Sequence, residues 1–173
     1  MKYLPTAFWN LEFAWKLYNY VLDGGIELEK LDVPVTFQEG RSLLVLPSRT
    51  FATQDDLVLA CENNLGIAFG AAAITLNRCR EEVGIPLPNP IATELDQFVS
   101  LAYQVRNSFA HDIAEPRWEL RDERYRRAYD FGPVHVDLTH RHREPFSYHD
   151  IGGPEVLFWM RDYAEENVWG RET

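Results

Sequence analysis

The chain has 173 residues, 46% hydrophobic and 25% charged, which is ordinary globular usage for a single domain and leaves little room for long disordered tracts. Its 17 basic and 27 acidic residues give a net charge of −10. That balance argues against non-specific binding to nucleic acid or to an anionic membrane, and confines any nucleic-acid contact to a small electropositive cleft.

Glu12 and Lys16 soon interrupt the apolar N-terminal run, and no small-residue cleavage site follows, so no signal peptide is expected. No stretch approaches ~20 uncharged apolar residues, so no membrane span is expected. The two cysteines, Cys61 and Cys79, fall on one expected helix. At ~1.5 Å rise per residue they stand roughly 27 Å apart, too far for a disulfide. Free buried thiols suit a reducing compartment, and the cytoplasm is the expected location.

Residues 6–22 have helical periodicity, with Phe8, Leu11, Ala14 or Trp15, Tyr18 and Val21 or Leu22 on one face, stopped by Asp23-Gly24-Gly25. Between 26 and 47 the period changes to two. Val33, Val35 and Phe37 alternate, Glu39-Gly40 offers a turn, and Leu43 and Val45 alternate again, which predicts a β-hairpin with Pro34 at an edge or strand start. A long helix is expected over 54–83, capped by Thr53 with Asp56 three residues on. Its apolar face is Leu57, Cys61, Leu65, Ala68, Ala72 and Leu76. Gly66, Gly70 and Ala71-Ala72-Ala73 are small enough for a close helix approach, and Gly84 can end the helix.

Pro86, Pro88 and Pro90 enforce a connector. Asn89 as N-cap with Pro90 at the first position would start a helix running from 90 to about 110, with Leu95, Phe98, Val99, Ala102, Val105 and Phe109 as its core stripe. Residues 115–127 are dense in both charges, and Glu119–Glu123 and Arg121–Arg124–Arg127 fit a salt-bridged helical face. Trp118 after Pro116 reads as core packing, with stacking on a base as the alternative. Val134, Val136 and Leu138 predict a strand, with a second short strand including Phe146 and Tyr148. Gly152-Gly153-Pro154 opens a last helix to about 168. The fold class is mainly α: a helical bundle forming one domain over 1–173, with its core at about 54–115 and β additions at about 33–46 and 134–148.

The chemical centre is expected at Arg106-Asn107-Ser108-Phe109-Ala110-His111. Asn107 and His111 are four apart and share a helical face. Arg106 lies ~140° from His111 on an ideal helix, so one continuous helix would not aim both at the same atom. A loosened turn, the reach of the arginine, or a two-fold partner could each bring them together, and the last, which builds the cleft from two helices at a dimer interface, is the expected arrangement. The bland reading is two polar residues near a helix C-terminus, where cations are favoured anyway.

The stretch Val105-Arg106-Asn107-Ser108-Phe109-Ala110-His111-Asp112, late in a helical domain, resembles the signature of the HEPN superfamily (higher eukaryotes and prokaryotes nucleotide-binding). The resemblance covers about 54–115. It implies a HEPN-like bundle and a metal-independent endoribonuclease, usually a homodimer, in toxin–antitoxin, phage-defence or RNA-processing systems. It makes Arg106 and His111 the catalytic pair, with Asn107 orienting them. No cofactor is implied. RNA, a second copy and an antitoxin protein are the expected partners. Some members carry a Tyr two residues after the His, a target of modification; here that position is Ile113. Other members are inactive and serve as dimerisation or ligand-binding modules, which is the alternative.

Arg117 and Arg121 are candidates for positioning phosphates beside His111. Arg141 and Arg143, among His135, His140, His142 and His149, are candidates for RNA contact. A zinc or nickel site at His140-Arg141-His142 is conceivable, but two flanking arginines favour a solvated turn, and no metal is expected. No P-loop, GxGxxG or GxSxG occurs.

Overall fold

A computed structural model describes residues 3–46 and 49–169. It is mostly helical, with two small antiparallel hairpins. Residues 1–2, 47–48 and 170–173 of the expected 1–173 domain lie outside the described residues.

Helix α1 spans Leu4–Leu22, and Pro5 at its start supplies a preset φ where no intrahelical N–H is needed. It buries Leu4, Phe8, Leu11, Ala14 and Val21 along α3, Gln54–Glu82. A one-turn helix, α2 (Leu28–Leu31), and the hairpin β1 (Val35–Glu39) and β2 (Ser42–Leu46) connect them. Pro34 stands just before β1, where no ladder hydrogen bond is lost. The whole expected face of α3 is buried, from Leu57 to Leu76. By length and composition α3 could cross a membrane, but here its buried side faces α1 and α4. Gly84, with φ +74°, adopts the left-handed conformation that ends the helix.

Helix α4 is Glu94–Ala110, not a helix begun at Pro90. Thr93 and Asp96 form a capping box: Thr93 Oγ1 accepts from Asp96 N (3.1 Å) and Asp96 Oδ2 from Thr93 N (2.8 Å). This reciprocal cap satisfies two terminal donors, which Asn89 followed by proline would not. Leu95, expected in the core stripe, is 38% exposed, three positions before the buried run that begins at Phe98. Gly70 of α3 lets α4 approach closely: a Cβ there would lie 2.7 Å from Phe109 Cδ1.

Past α4 the chain departs from the expected pattern. Residues 117–121 are extended rather than helical, followed by a 3₁₀ turn at Glu123–Tyr125. The hairpin is β3 (Ala128–Phe131) with β4 (Val134–Asp137). Phe146 and Tyr148 form no strand. Pro145 bridges Arg117, and Tyr148 opens a 3₁₀ turn to Ile151. Their rings instead join Phe69 and Phe109, with Phe109–Phe146 at 4.9 Å and Phe69–Tyr148 at 4.8 Å between centroids. Aromatic burial of this size outweighs the weak strand signal. Helix α5 (Glu155–Asn167) closes the bundle, packing Phe158 on Phe8 and Tyr163 on Phe98. One continuous core therefore runs from Leu4 to Ala164, wider than the expected 54–115.

Candidate functional site

The site begins where α4 stops. His111 is the C-cap, with φ −99° and ψ −35°. Asp112 then offers the backbone an alternative to the helix, its Oδ1 accepting from Ala114 N (2.9 Å) and Glu115 N (3.0 Å). Those bonds hold the Asp112 carboxyl below its ordinary value, Glu115 N first. After Pro116, Arg117 N donates to Ser108 O (3.1 Å), so the chain folds back along the helix end. Trp118 N donates to Glu144 O (2.9 Å) and Arg143 N to Trp118 O (2.8 Å), which keeps the return extended. Trp118 and Leu120 go inward, fully buried, so Glu119 and Arg121 face out at the period-two spacing of extended chain.

The fold-back makes a polar cleft of about 320 Å³. One wall is the outer side of α4 with Tyr103, Gln104, Arg106 and Asn107, ending in His111; the other is Glu119, Arg121, Asp122, Arg124 and Tyr125. Arg106 and His111, ~140° apart on an ideal helix, both line this cleft within one chain. His111 is exposed, while Arg106 and Asn107 are half-buried.

Charge in the cleft is arranged rather than scattered. Arg106 Nη1 donates to Asn107 Oδ1 (3.0 Å), and among the described residues no carboxylate lies within ion-pair distance of Arg106. Arg121 Nε pairs with Glu119 Oε2 at 3.1 Å, and Arg124 Nε with Asp122 Oδ2 at 3.0 Å. Arg124 also donates from Nη1 to Pro88 O (3.2 Å) and lies 4.7 Å from the Tyr125 ring centre. Three guanidinium groups thus face two carboxylates, a local excess of positive charge in an acidic chain. The hydrogen bond from Arg121 is the largest influence holding the Glu119 carboxyl below its ordinary value, and the charges of Arg121, His111 and His142 act the same way. Gln104 Oε1, buried at the cleft, has no hydrogen-bond partner.

Of the seven residues singled out from sequence, the cleft holds Arg106, Asn107, His111 and Arg121. Arg117, Arg141 and Arg143 do not line it. Arg117 Nη1 donates to Arg143 O (3.4 Å), and Arg141 Nη2 pairs with Asp150 Oδ1 (3.1 Å). Arg127 Nη1 donates to Ile91 O and ties the return to the connector before α4, while Arg126 Nε donates to Leu120 O within the return. His135 Nδ1 pairs with Asp130 Oδ1 (2.7 Å) on the second hairpin, and His140 and His149 are exposed. Glu119, Asp122, Arg124 and Tyr125 were not picked out as site residues. The buried–outward alternation Trp118-Glu119-Leu120-Arg121 was their available signal, hidden by charge spacing that also fits a helix. No protein-family model, curated protein or solved structure matches the chain.

Proposed function

We propose that the protein is a HEPN-like, metal-independent endoribonuclease, with Arg106 and His111 as its catalytic pair and Asn107 orienting Arg106. The observation that carries this reading is that Arg106 and His111 share one polar cleft with Arg121 and Arg124. RNA supplies its own nucleophile, the 2′-hydroxyl. An exposed imidazole is the side-chain type suited to moving a proton in such a step. A guanidinium without a carboxylate partner is free to take phosphate oxygens, whose charge it stabilises in the transition state. Arg121 and Arg124 extend that positive surface along the strand. The products are a 2′,3′-cyclic phosphate and a 5′-hydroxyl. A homodimer acting on RNA in the cytoplasm, held in check by an antitoxin protein, fits this reading.

One observation favours a second reading, a non-catalytic module that binds a partner. Every residue of β1 and β2 is exposed, including Phe37, Leu43 and Leu44, and an isolated two-stranded hairpin is marginal alone. The discriminating experiment is cleavage of a mixed-sequence RNA in EDTA by the wild type, Arg106→Ala and His111→Ala. Cleavage with cyclic-phosphate ends, lowered at least ~10²-fold by either substitution, is the expected result. A folded wild type that leaves the RNA intact would transfer the assignment to the binding module.

A further inference from the structure

Transphosphorylation of RNA needs two proton transfers, one from the attacking 2′-hydroxyl and one to the leaving 5′-oxygen. The Arg106-Asn107-…-His111 stretch carries one titratable group able to do this near neutrality, His111. The other wall of the cleft carries a second. Glu119 sits on the extended return, turned outward because Trp118 and Leu120 on either side of it are fully buried. Its side chain is 27% exposed, so a substrate can reach it. Oε2 accepts from Arg121 Nε, while Oε1 has no hydrogen-bond partner among the described residues. We propose, resting on the ribonuclease reading above, that Glu119 is the general base and His111 the general acid of a site that one chain completes.

The step balances on these two groups. The Glu119 carboxylate takes the proton of the 2′-hydroxyl as the 2′-oxygen–phosphorus bond forms. The phosphorus–5′-oxygen bond breaks, and the imidazolium of His111 gives its proton to the leaving oxygen. Glu119 ends protonated and His111 neutral, and solvent restores both after product leaves. The surroundings suit this division. The hydrogen bond from Arg121, and then the charges of Arg121, His111 and His142, hold the Glu119 carboxyl below its ordinary value, so it stands as the carboxylate that accepts the proton. Arg106, Arg124 and Asp122 complete the charged groups of the cleft. Arg121, fixed by the same carboxylate, is left beside the phosphate, where it shares the developing charge with Arg106.

The test compares wild type, Glu119→Gln and His111→Ala on two substrates: RNA, and a ribonucleoside 3′-(aryl phosphate) whose phenolate leaves without an acid. Glutamine retains an oxygen for the Arg121 hydrogen bond, so the return keeps its anchor. On RNA both variants lose ~10²-fold or more. On the aryl ester His111→Ala recovers most of its rate, because the acid is no longer needed, and Glu119→Gln does not, because the base still is. A purely structural Glu119 would slow both substrates alike as well, so the pH profile on the ester decides: loss of the low-pH fall-off in kcat/KM in Glu119→Gln marks the base, and its retention overturns the assignment. Glu119→Gln within about threefold of wild type on RNA, or recovery of Glu119→Gln rather than His111→Ala on the ester, overturns the assignment. Mixing the two variants should restore nothing; recovered cleavage would show the pair formed across copies and overturn the single-chain site. A folded wild type inert on both substrates overturns the ribonuclease reading itself, an outcome distinct from an active enzyme indifferent to Glu119.

Discussion

Asp150 shows how much one side chain can organise near the cleft. Its carboxylate, 7% exposed, accepts from Trp118 Nε1 (2.9 Å) and Ser147 N (3.0 Å) and pairs with Arg141. Trp118 is fully buried and anchors the segment that carries Glu119 and Arg121. Asp150→Ala strands the indole N–H away from water and should cost about 2–3 kcal/mol. Arg141 is 46% exposed and can rehydrate, so Arg141→Ala should cost under ~1 kcal/mol. Urea midpoints of the two variants check this; equal losses would mean the ion pair, not the indole bond, does the holding. At this scale the sequence was informative where chemistry is local. Arg106, Asn107 and His111 stand out by type and spacing. Arg141 does not reveal its role, because its partner Asp150 and the tryptophan that shares it come together only through folding, and a free arginine beside histidines looks the same as a paired one.

At the scale of elements, the two central helices start alike. Thr53 and Asp56 begin α3, and Thr93 and Asp96 begin α4, each as a reciprocal capping box. Thr53→Ala and Thr93→Ala should each destabilise by about 1 kcal/mol, and the double variant by about the sum, since the two caps share no partner. Thermal or urea unfolding measures this; a double variant no worse than either single would refute independent caps. Helix α3 was legible throughout, because cap, periodic face and terminating glycine all agree. Helix α4 was legible except at its start, where a proline signal competed with the box and lost. Residues 115–127 were misread because their charges satisfy i, i+4 spacing. What decides their conformation is hydrogen bonding to residues 143–146, more than 20 positions downstream, and the burial of Trp118 and Leu120. Such long-range pairing leaves no periodic trace in a segment that short. The cleft inherits the same limit: its α4 wall was readable, and its opposite wall was not.

Across the whole molecule two electrostatic effects oppose each other as pH falls. At neutral pH the net charge of −10 repels itself in the compact state, and protonation towards about pH 5 relieves that repulsion. Against this stand five aspartates whose carboxyls are held below their ordinary values by hydrogen bonds. Phe51 N is the first cause for Asp32, the Thr53 side chain for Asp56, Thr93 N for Asp96, Glu115 N for Asp112 and the Thr139 side chain for Asp137. These bonds close the hairpin base, cap both central helices and turn the chain after His111. For a depressed carboxyl the stabilisation is fully present above the unfolded value of ~3.9 and is lost as pH falls through the lower folded values. The urea midpoint should therefore hold or rise from pH 7 to about 5 and then fall steeply below about pH 4. Added salt should raise the midpoint at pH 7 by screening the repulsion, and do little near pH 5. Asp32→Asn with Asp96→Asn should flatten the acid limb while lowering the neutral plateau, since amide oxygens accept the same bonds more weakly and do not titrate. An acid limb equally steep in that double variant would place the acid sensitivity in other carboxylates and refute the role given to these hydrogen-bonded turns.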